Sequence, residues 1–208
     1  MCVKKCGHYE TKRERLCRRI VSALLAITII MLIIIFLVWI ILRPTKPRFI
    51  LQDATLYSLN ISGPNVLTTS LQVSVSSRNP NERIGIYYEK LDIYASYRNQ
   101  QITLPTAIPN SYQGHEEITV WSPFLNGESV PVSLYLSIAL GQDQNTGHVL
   151  VNIKIQGNVK WKVGSWVSGN YRMDVNCPAF ISSGEPNKGI EIGPATKYQF
   201  VQDCHVDV

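Results

Sequence analysis

The sequence predicts an antiparallel β-sandwich that follows a single membrane-spanning helix. Three observations indicate this fold class: a long uncharged apolar run near the N-terminus, a series of short alternating segments after residue 49, and the Gly, Pro and Asn residues between those segments. The 208 residues, 45% of them apolar and 17% charged, suffice for one folded domain beside the apolar run and argue against a disordered chain.

A basic tail, residues 1–19, comes first and holds all of the net charge. Its seven Lys and Arg residues are opposed only by Glu10 and Glu14, whereas residues 43–208 contain equal numbers of both signs, and the formal net charge of the whole chain is +5. Because the part large enough to fold has no net field that attracts phosphate, we expect no nucleic-acid partner.

The basic residues next to the apolar run are candidate contacts for anionic lipid headgroups of the inner leaflet, each contributing on the order of 1 kcal/mol. They are Lys12, Arg13, Arg15, Arg18 and Arg19. The same cluster could act only as a topology determinant. Cys17 lies among these residues and is a candidate for reversible palmitoylation, with a plain reduced cysteine as the alternative.

Residues 20–42 contain no charge, Pro or Gly. A helix of this length spans roughly 34 Å, slightly more than the bilayer hydrocarbon of about 30 Å. A buried core helix would carry a polar stripe, but only Ser22 and Thr28 interrupt this run. A cleaved signal peptide has a shorter apolar run and a small-residue cleavage site, so we predict an uncleaved signal anchor that crosses the bilayer once. Trp39, near its distal end, suits the aromatic belt.

The charges flanking the run predict its orientation. Seven basic residues precede it, and three follow closely at Arg43, Lys46 and Arg48. The positive-inside rule therefore places the N-terminus in the cytosol and residues 43–208 outside. On that side of a membrane Cys177 and Cys204 would meet an oxidising compartment, where we predict a disulfide, with two separate buried thiols as the alternative. The sequon Asn60-Ile61-Ser62 would be glycosylated there if it is exposed.

Residues 43–208 are predicted to be all-β. Alternation of apolar and polar residues is clearest in residues 149–163, 67–75, 91–97 and 132–140, and weaker in residues 51–59, 118–121, 171–175 and 198–202. Turn chemistry occurs at Asn79-Pro80-Asn81, Asn126-Gly127 and Asn145-Thr146-Gly147. Seven or eight such strands favour two antiparallel sheets, with a closed barrel as the alternative. A bend is expected at Gly157, inside the longest strand.

Sequence motifs for catalysis, cofactors or metals are missing from the chain. His115-Glu116-Glu117 and Asp203-Cys204-His205 place neighbours on opposite faces of an extended strand, and Cys2 and Cys6 with His8 lack a second pair of ligands. We therefore predict a non-enzyme without cofactor. The polar side chains of residues 152–162 are a candidate recognition surface or simply a solvated sheet face. Trp121, Trp161 and Trp166 are expected in the core or at its rim.

Several segments, in order along the chain, resemble one family of plant membrane proteins. The segments are 43–49 with 51–55, Arg78-Asn79-Pro80-Asn81 with residues 84–88, and Tyr112-Gln113-Gly114-His115. They are similar to the harpin-induced and non-race-specific-disease-resistance-like proteins, which contain a late-embryogenesis-abundant group 2 domain, also called the water-stress and hypersensitive-response domain. The resemblance covers nearly all of residues 43–208.

This resemblance implies a fibronectin type III-like sandwich, residence in the plasma membrane and a role in plant defence or abiotic stress. It brings no catalytic residues. The Asn79-Pro80-Asn81 segment is expected to be a turn that defines the fold, and one of Tyr87 and Tyr88 to be buried. The function hypothesis is an outer domain that meets a protein partner or the cell wall. The alternative is a lipid-binding or membrane-protective module that acts during dehydration, and an undetected hydrolase ranks last.

Overall fold

The computed structural model describes residues 6–41, 44–62, 65–182, 190–192 and 195–208. The chain divides into two compact units, Met1–Arg43 and Pro44–Val208. The predicted positions Cys2, Leu42 and Arg43 lie outside the described residues.

The first unit contains helix α1, Cys6–Ile41. This helix begins well before the apolar run, because the Lys, Arg, Glu and Leu residues of the tail are good helix formers. Its stretch Arg13–Leu37 is long and apolar enough to cross a membrane. The hydroxyls of Ser22 and Thr28 donate to the carbonyls of Arg19 and Leu25, at 2.9 and 2.8 Å, so both polar side chains are satisfied within the helix, as a lipid environment requires.

The second unit consists of two mostly antiparallel sheets. Sheet A has the order β12 (Ile190–Ile192), β13 (Ala195–Asp203), β1 (Arg48–Ser62), β2 (Val66–Arg78) and β7 (Ile118–Trp121), and β8 (Phe124–Pro131) also pairs with β2. Sheet B has the order β14 (His205–Asp207), β11 (Tyr171–Ser182), β9 (His148–Val163), β3 (Gly85–Tyr97) and β4 (Gln100–Gln101). Strand β10 (Trp166–Val167) pairs with β9, and β5 (Thr106–Ile108) and β6 (Ser111–Gln113) pair with β3.

A shared hydrophobic core joins the two sheets. Phe49 of β1 stacks on Trp121 of β7 with ring centroids 6.2 Å apart, and Tyr88 of β3 meets both rings edge-on at 6.2 and 5.4 Å. No ladder among the described strands connects sheet A to sheet B, so the sandwich is confirmed and the closed barrel is wrong. The more specific likeness to fibronectin type III stays a prediction.

Seven of the eight predicted strands are confirmed, and residues 132–140 are the exception. They belong to helix α2, Leu134–Asn145, whose first turn is capped by the Ser133 hydroxyl accepting from the Leu136 amide at 3.2 Å. Leu136, Ala139 and Leu140 are buried at helical spacing, while Leu134 and Ile138 are exposed. The alternation of apolar residues therefore misled the strand prediction, because two of the five alternating residues face solvent in the helix.

The predicted turn at Asn126-Gly127 is also wrong, since both residues lie inside strand β8. Gly127 is required there for close approach: a Cβ atom would collide with the carbonyl oxygen of Ile102. The predicted turns at residues 79–81 and 145–147 are confirmed as connections between elements.

Gly157 does not end or divide β9, which runs unbroken from His148 to Val163. The irregularity lies in the neighbouring strand instead, where β3 shifts register between Glu89 and Asp92 and Lys90 has a φ of 52°. The Lys90 carbonyl occupies the space that a Cβ at Gly157 would need. Glycine in β9 therefore accommodates a bulge in β3.

The predicted disulfide is present between Cys177 of β11 and Cys204, with Cα atoms 4.4 Å apart. Cys204 lies between β13 and β14, where the chain leaves sheet A and joins sheet B. Its amide also donates to the carbonyl of Phe49 at 2.9 Å. The C-terminal crossover is therefore held to both sheets.

Candidate functional site

The outer face of sheet B is formed by the outward side chains of β3, β9, β11 and β14. On β9, the alternate residues from Asn152 to Lys162 are half-buried on this face, whereas Val151, Ile153 and Ile155 are buried in the core. The alternation predicted from the sequence is thus confirmed. It leaves a polar surface that has a groove at one end and a lysine beside two tyrosines at the other.

At the β14 end this face forms an open groove of about 280 Å³. The polar side chains that line it are Asn99, Lys154, Gln156, Asp174, Asn176, His205 and Asp207. Asp207 accepts from Lys46 Nζ at 3.5 Å and from His205 Nε2 at 3.2 Å. Because these pairs are exposed, each contributes only about 0–1 kcal/mol, and the charges of Lys46 and Asp207 are accessible to a polar partner.

At the other end a lysine lies against two tyrosine rings. The rings of Tyr87 and Tyr112 are 4.6 Å apart, and Lys162 Nζ lies 5.6 and 5.0 Å from their centroids. Tyr112 reaches this position because it lies over Gly85, where any Cβ atom would collide with its ring. We call Tyr87, Tyr112 and Lys162 the aromatic–lysine cluster. Such a cluster offers both apolar contact and a positive charge to a binding partner.

The asparagines of the 79–81 turn are the centre of a buried polar network. Asn79 Nδ2 donates to the carbonyls of Ile84 and Gly114 at 2.7 and 2.8 Å, and its Oδ1 accepts from the amide and the side chain of Asn81 at 3.1 and 2.9 Å. Asn81 in turn exchanges two 2.8 Å bonds with the backbone of Thr45. The turn therefore ties the beginning of the domain to two loops.

Gln113 extends this network into the core. Its Nε2 donates to the carbonyls of Ser77 and Glu117 at 2.7 and 3.0 Å, and its Oε1 accepts from the hydroxyl of Tyr88 at 2.8 Å. Tyr88 is buried, as one of the two tyrosines was predicted to be. Burial raises the pKa of Tyr88, outweighing the lowering effect of its hydrogen bond with Ser77. The motif residues thus converge on a structural network and not on a binding site.

Comparisons with known proteins agree with these motifs. The family described as late embryogenesis abundant protein matches residues 74–177. NDR1/HIN1-like protein 12 of Arabidopsis thaliana is 51% identical over 210 residues, covering 100% of both chains. The chain belongs to the NDR1/HIN1-like, late embryogenesis abundant group 2 family. NDR1/HIN1-like protein 1, also of Arabidopsis thaliana, is 47% identical and covers 99% of this chain and 100% of its own.

Among solved structures, an Arabidopsis thaliana protein determined in solution covers 67% of this chain and 83% of its own at 14% identity, with a TM-score of 0.35. A TM-score of this size does not establish a common fold. The family assignment rests on the sequence relatives, and the two-sheet architecture rests on the strand pairing.

The other residues singled out from the sequence differ in their exposure to solvent. Arg13, Arg15, Arg18 and Arg19 are exposed on α1, which also contains Lys12. Cys17 is an exposed free thiol on the same helix. Asn60 is exposed on β1 of sheet A. Of the tryptophans, Trp161 is buried, Trp121 is half-buried in the aromatic core, and Trp166 is exposed beyond the end of β9.

The residues considered for chemistry stay apart. His115 is exposed, and Cys204 is held in the disulfide, while its neighbour His205 pairs with Asp207. Within the described part of the chain, no three His, Cys, Asp or Glu side chains come together as a group that could hold a metal ion.

Sequence reasoning missed a cluster that holds α2 against β3. The hydroxyl of Tyr97 donates to Asp143 at 2.5 Å, and Arg98 donates to both carboxylate oxygens at 3.3 Å. Burial, followed by the bond to Asp143, raises the pKa of Tyr97 to about 12. Arg98 and Asn99 have φ values of 46° and 65°, so they form a tight hairpin turn without glycine. Asn99 was the only sequence signal for this turn.

Proposed function

We propose that this chain is a single-pass plasma-membrane protein of plant defence and stress responses. Its outer β-domain acts without catalysis by binding a protein partner or the cell wall. The family assignment supports the biological role. The apolar helix, the basic residues before it and the disulfide support a cytosolic N-terminus and an outer domain in an oxidising compartment.

The outer face of sheet B carries the interaction part of this proposal. It combines the aromatic–lysine cluster at one end with a groove of charged and amide side chains at the other. The family motifs form the buried network that holds the fold together, whereas this face presents aromatic and charged groups to solvent. An exposed tyrosine such as Tyr112, beside a second aromatic ring and a cation, is a typical anchor of protein interfaces.

On the cytosolic side, we propose that the basic residues of α1 bind anionic headgroups and that Cys17 is palmitoylated. Exposure of Arg13, Arg15, Arg18 and Arg19 leaves their guanidinium groups free for lipid, and the Cys17 thiol is accessible to an acyl donor. Acyl exchange on the full-length protein, with Cys17→Ser as the control, tests the second part. A signal that persists in Cys17→Ser would contradict it.

The interaction function is tested by proximity labelling from the full-length protein in plant cells. The double variant Tyr112→Ala with Lys162→Ala removes the exposed tyrosine and the half-buried lysine of the cluster, and Val201→Ser, an exposed position on sheet A, is the surface control. We expect the outer partners to disappear with the double variant and to persist with the control. Identical partners in all three proteins would refute the role of this face.

The lipid-binding alternative has a separate readout. The groove on sheet B is lined by amides and charges, which suit a polar partner better than an acyl chain. Lipid extraction from the purified full-length protein, compared with α1 alone, decides between the two: a stoichiometric lipid that requires the β-domain would support the membrane-protective module instead.

A further inference from the structure

The outer face of sheet A carries an exposed aromatic pair. The side chains of Tyr57 on β1 and Phe124 on β8 are 42% and 52% exposed, and their ring centroids are 6.0 Å apart with planes tilted by 41°. Neither ring reaches the core, so both leave apolar area in contact with water. Together the two rings form a small exposed apolar patch on the outer face of sheet A.

Uncharged polar side chains surround the pair. The Tyr57 hydroxyl donates to Gln72 Oε1 at 3.3 Å, and the Ser70 hydroxyl donates to Asn126 Oδ1 at 2.9 Å. Ser74 and Ser122 form a further hydroxyl pair at 3.0 Å. Hydroxyls and amides both donate and accept, as sugar hydroxyls do, and aromatic faces accept the C–H groups of a sugar ring. The chemistry immediately around the two rings therefore fits a neutral sugar.

The exposed Asn60 lies on the same face as Tyr57 because of a β-bulge. Two residues three apart in a regular strand point to opposite faces, but β1 shifts register between Leu56 and Ser58. Leu56 and Leu59 pack against the core on either side of the bulge, which leaves Tyr57 and Asn60 facing outward. At about 3.3 Å per residue, the two residues lie within about 10 Å along the strand.

We propose that Asn60 carries an N-linked glycan whose first N-acetylglucosamine residues pack on Tyr57 and Phe124. The outer face of sheet A is then covered by the chain's own sugar, and the outer face of sheet B remains for partners. This inference rests on the proposed function, because glycan transfer requires an outer domain that has passed through the secretory pathway. The inference adds that the glycan on Asn60 covers the outer face of sheet A.

The transfer has a balanced chemistry. The donor is a lipid-linked oligosaccharide pyrophosphate, and Asn60 Nδ2 displaces the pyrophosphate from C1 of its first sugar. The C1–N bond forms, the C1–O bond to the pyrophosphate breaks, the amide loses one proton, and the lipid pyrophosphate leaves. The hydroxyl residue that the acceptor sequon needs is Ser62.

A double-mutant cycle on the full-length protein purified from plant cells tests the packing. Glycan is removed genetically by Asn60→Gln, and independently by Ser62→Ala, in the wild-type, Tyr57→Ser and Tyr171→Ser backgrounds. Tyr171 is an exposed tyrosine of sheet B and serves as the matched control. We expect loss of the glycan to lower the melting temperature by about 2–4 °C in the wild type and in Tyr171→Ser, and by less than about 1 °C in Tyr57→Ser.

Each outcome decides a defined part of the proposal. An equal fall in the melting temperature in all three backgrounds overturns the packing of the sugar on Tyr57. An unmodified Asn60 overturns the proposal that this residue carries a glycan. In that case, an intact disulfide and cleavage of the domain by protease added to intact protoplasts would still support its placement outside the membrane. An unmodified Asn60 together with reduced cysteines and a protected domain overturns the placement as well.

Discussion

Replacing Asn79 by alanine is predicted to be among the most destabilising single substitutions in the β-domain. The side chain is fully buried and makes four hydrogen bonds, two donated to the carbonyls of Ile84 and Gly114 and two accepted from Asn81. Alanine removes all four, and the carbonyls of Ile84 and Gly114 and the Asn81 amide lose their bonds to this side chain, because alanine offers neither a donor nor an acceptor.

The expected magnitude follows from the number of bonds. At a net contribution of about 1 kcal/mol for each bond, Asn79→Ala lowers the free energy of unfolding by about 4 kcal/mol. Domain stabilities are typically about 5–15 kcal/mol, so this loss is a large fraction of the total. For a domain of this size it corresponds to a fall in melting temperature of about 8–16 °C.

The assay is thermal and denaturant unfolding of the full-length protein in detergent micelles. Asn126→Ala is the matched control, because Asn126 is exposed and its side chain accepts one bond, from Ser70 at 2.9 Å. We expect the control to change the free energy of unfolding by no more than about 0.5 kcal/mol. If Asn79→Ala behaved like Asn126→Ala, the network would not be a structural centre of the fold.

Three further substitutions test other parts of the fold. Cys204→Ser opens a disulfide with a sequence separation of 27 and should lower the free energy of unfolding by roughly 3–4 kcal/mol, measured by denaturant titration, whereas an unchanged midpoint would contradict the crosslink. The pKa of Tyr97 is raised from 10.0 to about 12 in the folded protein. The protonated hydroxyl therefore stabilises the folded state fully below pH 10, and this contribution is lost as the pH rises from 10 to 12. The melting temperature of Tyr97→Phe should therefore depend less on pH in that window, and equal slopes for both proteins would disprove the linkage. Gly157→Ala should lower the free energy of unfolding by about 1–3 kcal/mol, because the new Cβ meets the Lys90 carbonyl. Its control, Gly141→Ala in α2, has open space around the new Cβ and should be neutral or stabilising. Equal effects of the two substitutions in unfolding experiments would show that the bulge in β3 adapts.

Much of the architecture could be predicted because it depends on local periodicity. Residues 149–163 alternate between core and surface along one strand, and the stretch Arg13–Leu37 forms a helix long and apolar enough to cross a membrane. The disulfide was also predictable, since Cys177 and Cys204 are the two cysteines of the β-domain and had only each other to pair with.

The errors occur where a local pattern fits two structures. Residues 132–140 alternate as a strand does, yet Ser133 caps a helix whose buried side follows helical spacing. Asn126-Gly127 has the chemistry of a turn, but both residues lie in strand β8. Glycine is needed there because the Ile102 backbone passes close to Gly127. In both regions the packing of a distant segment decides between the two structures.

The sequence by itself determined the basic tail, the apolar helix, most strands and the family, because charge, hydropathy and motif order are properties of the chain alone. Only the tertiary structure decided what the motifs do. Asn79 and Gln113 are far apart in sequence from several of their partners, and their buried bonds exist only once the loops have come together. The bulge that places Tyr57 and Asn60 on the same face likewise depends on the register of β1 against β2, which the two strands determine jointly.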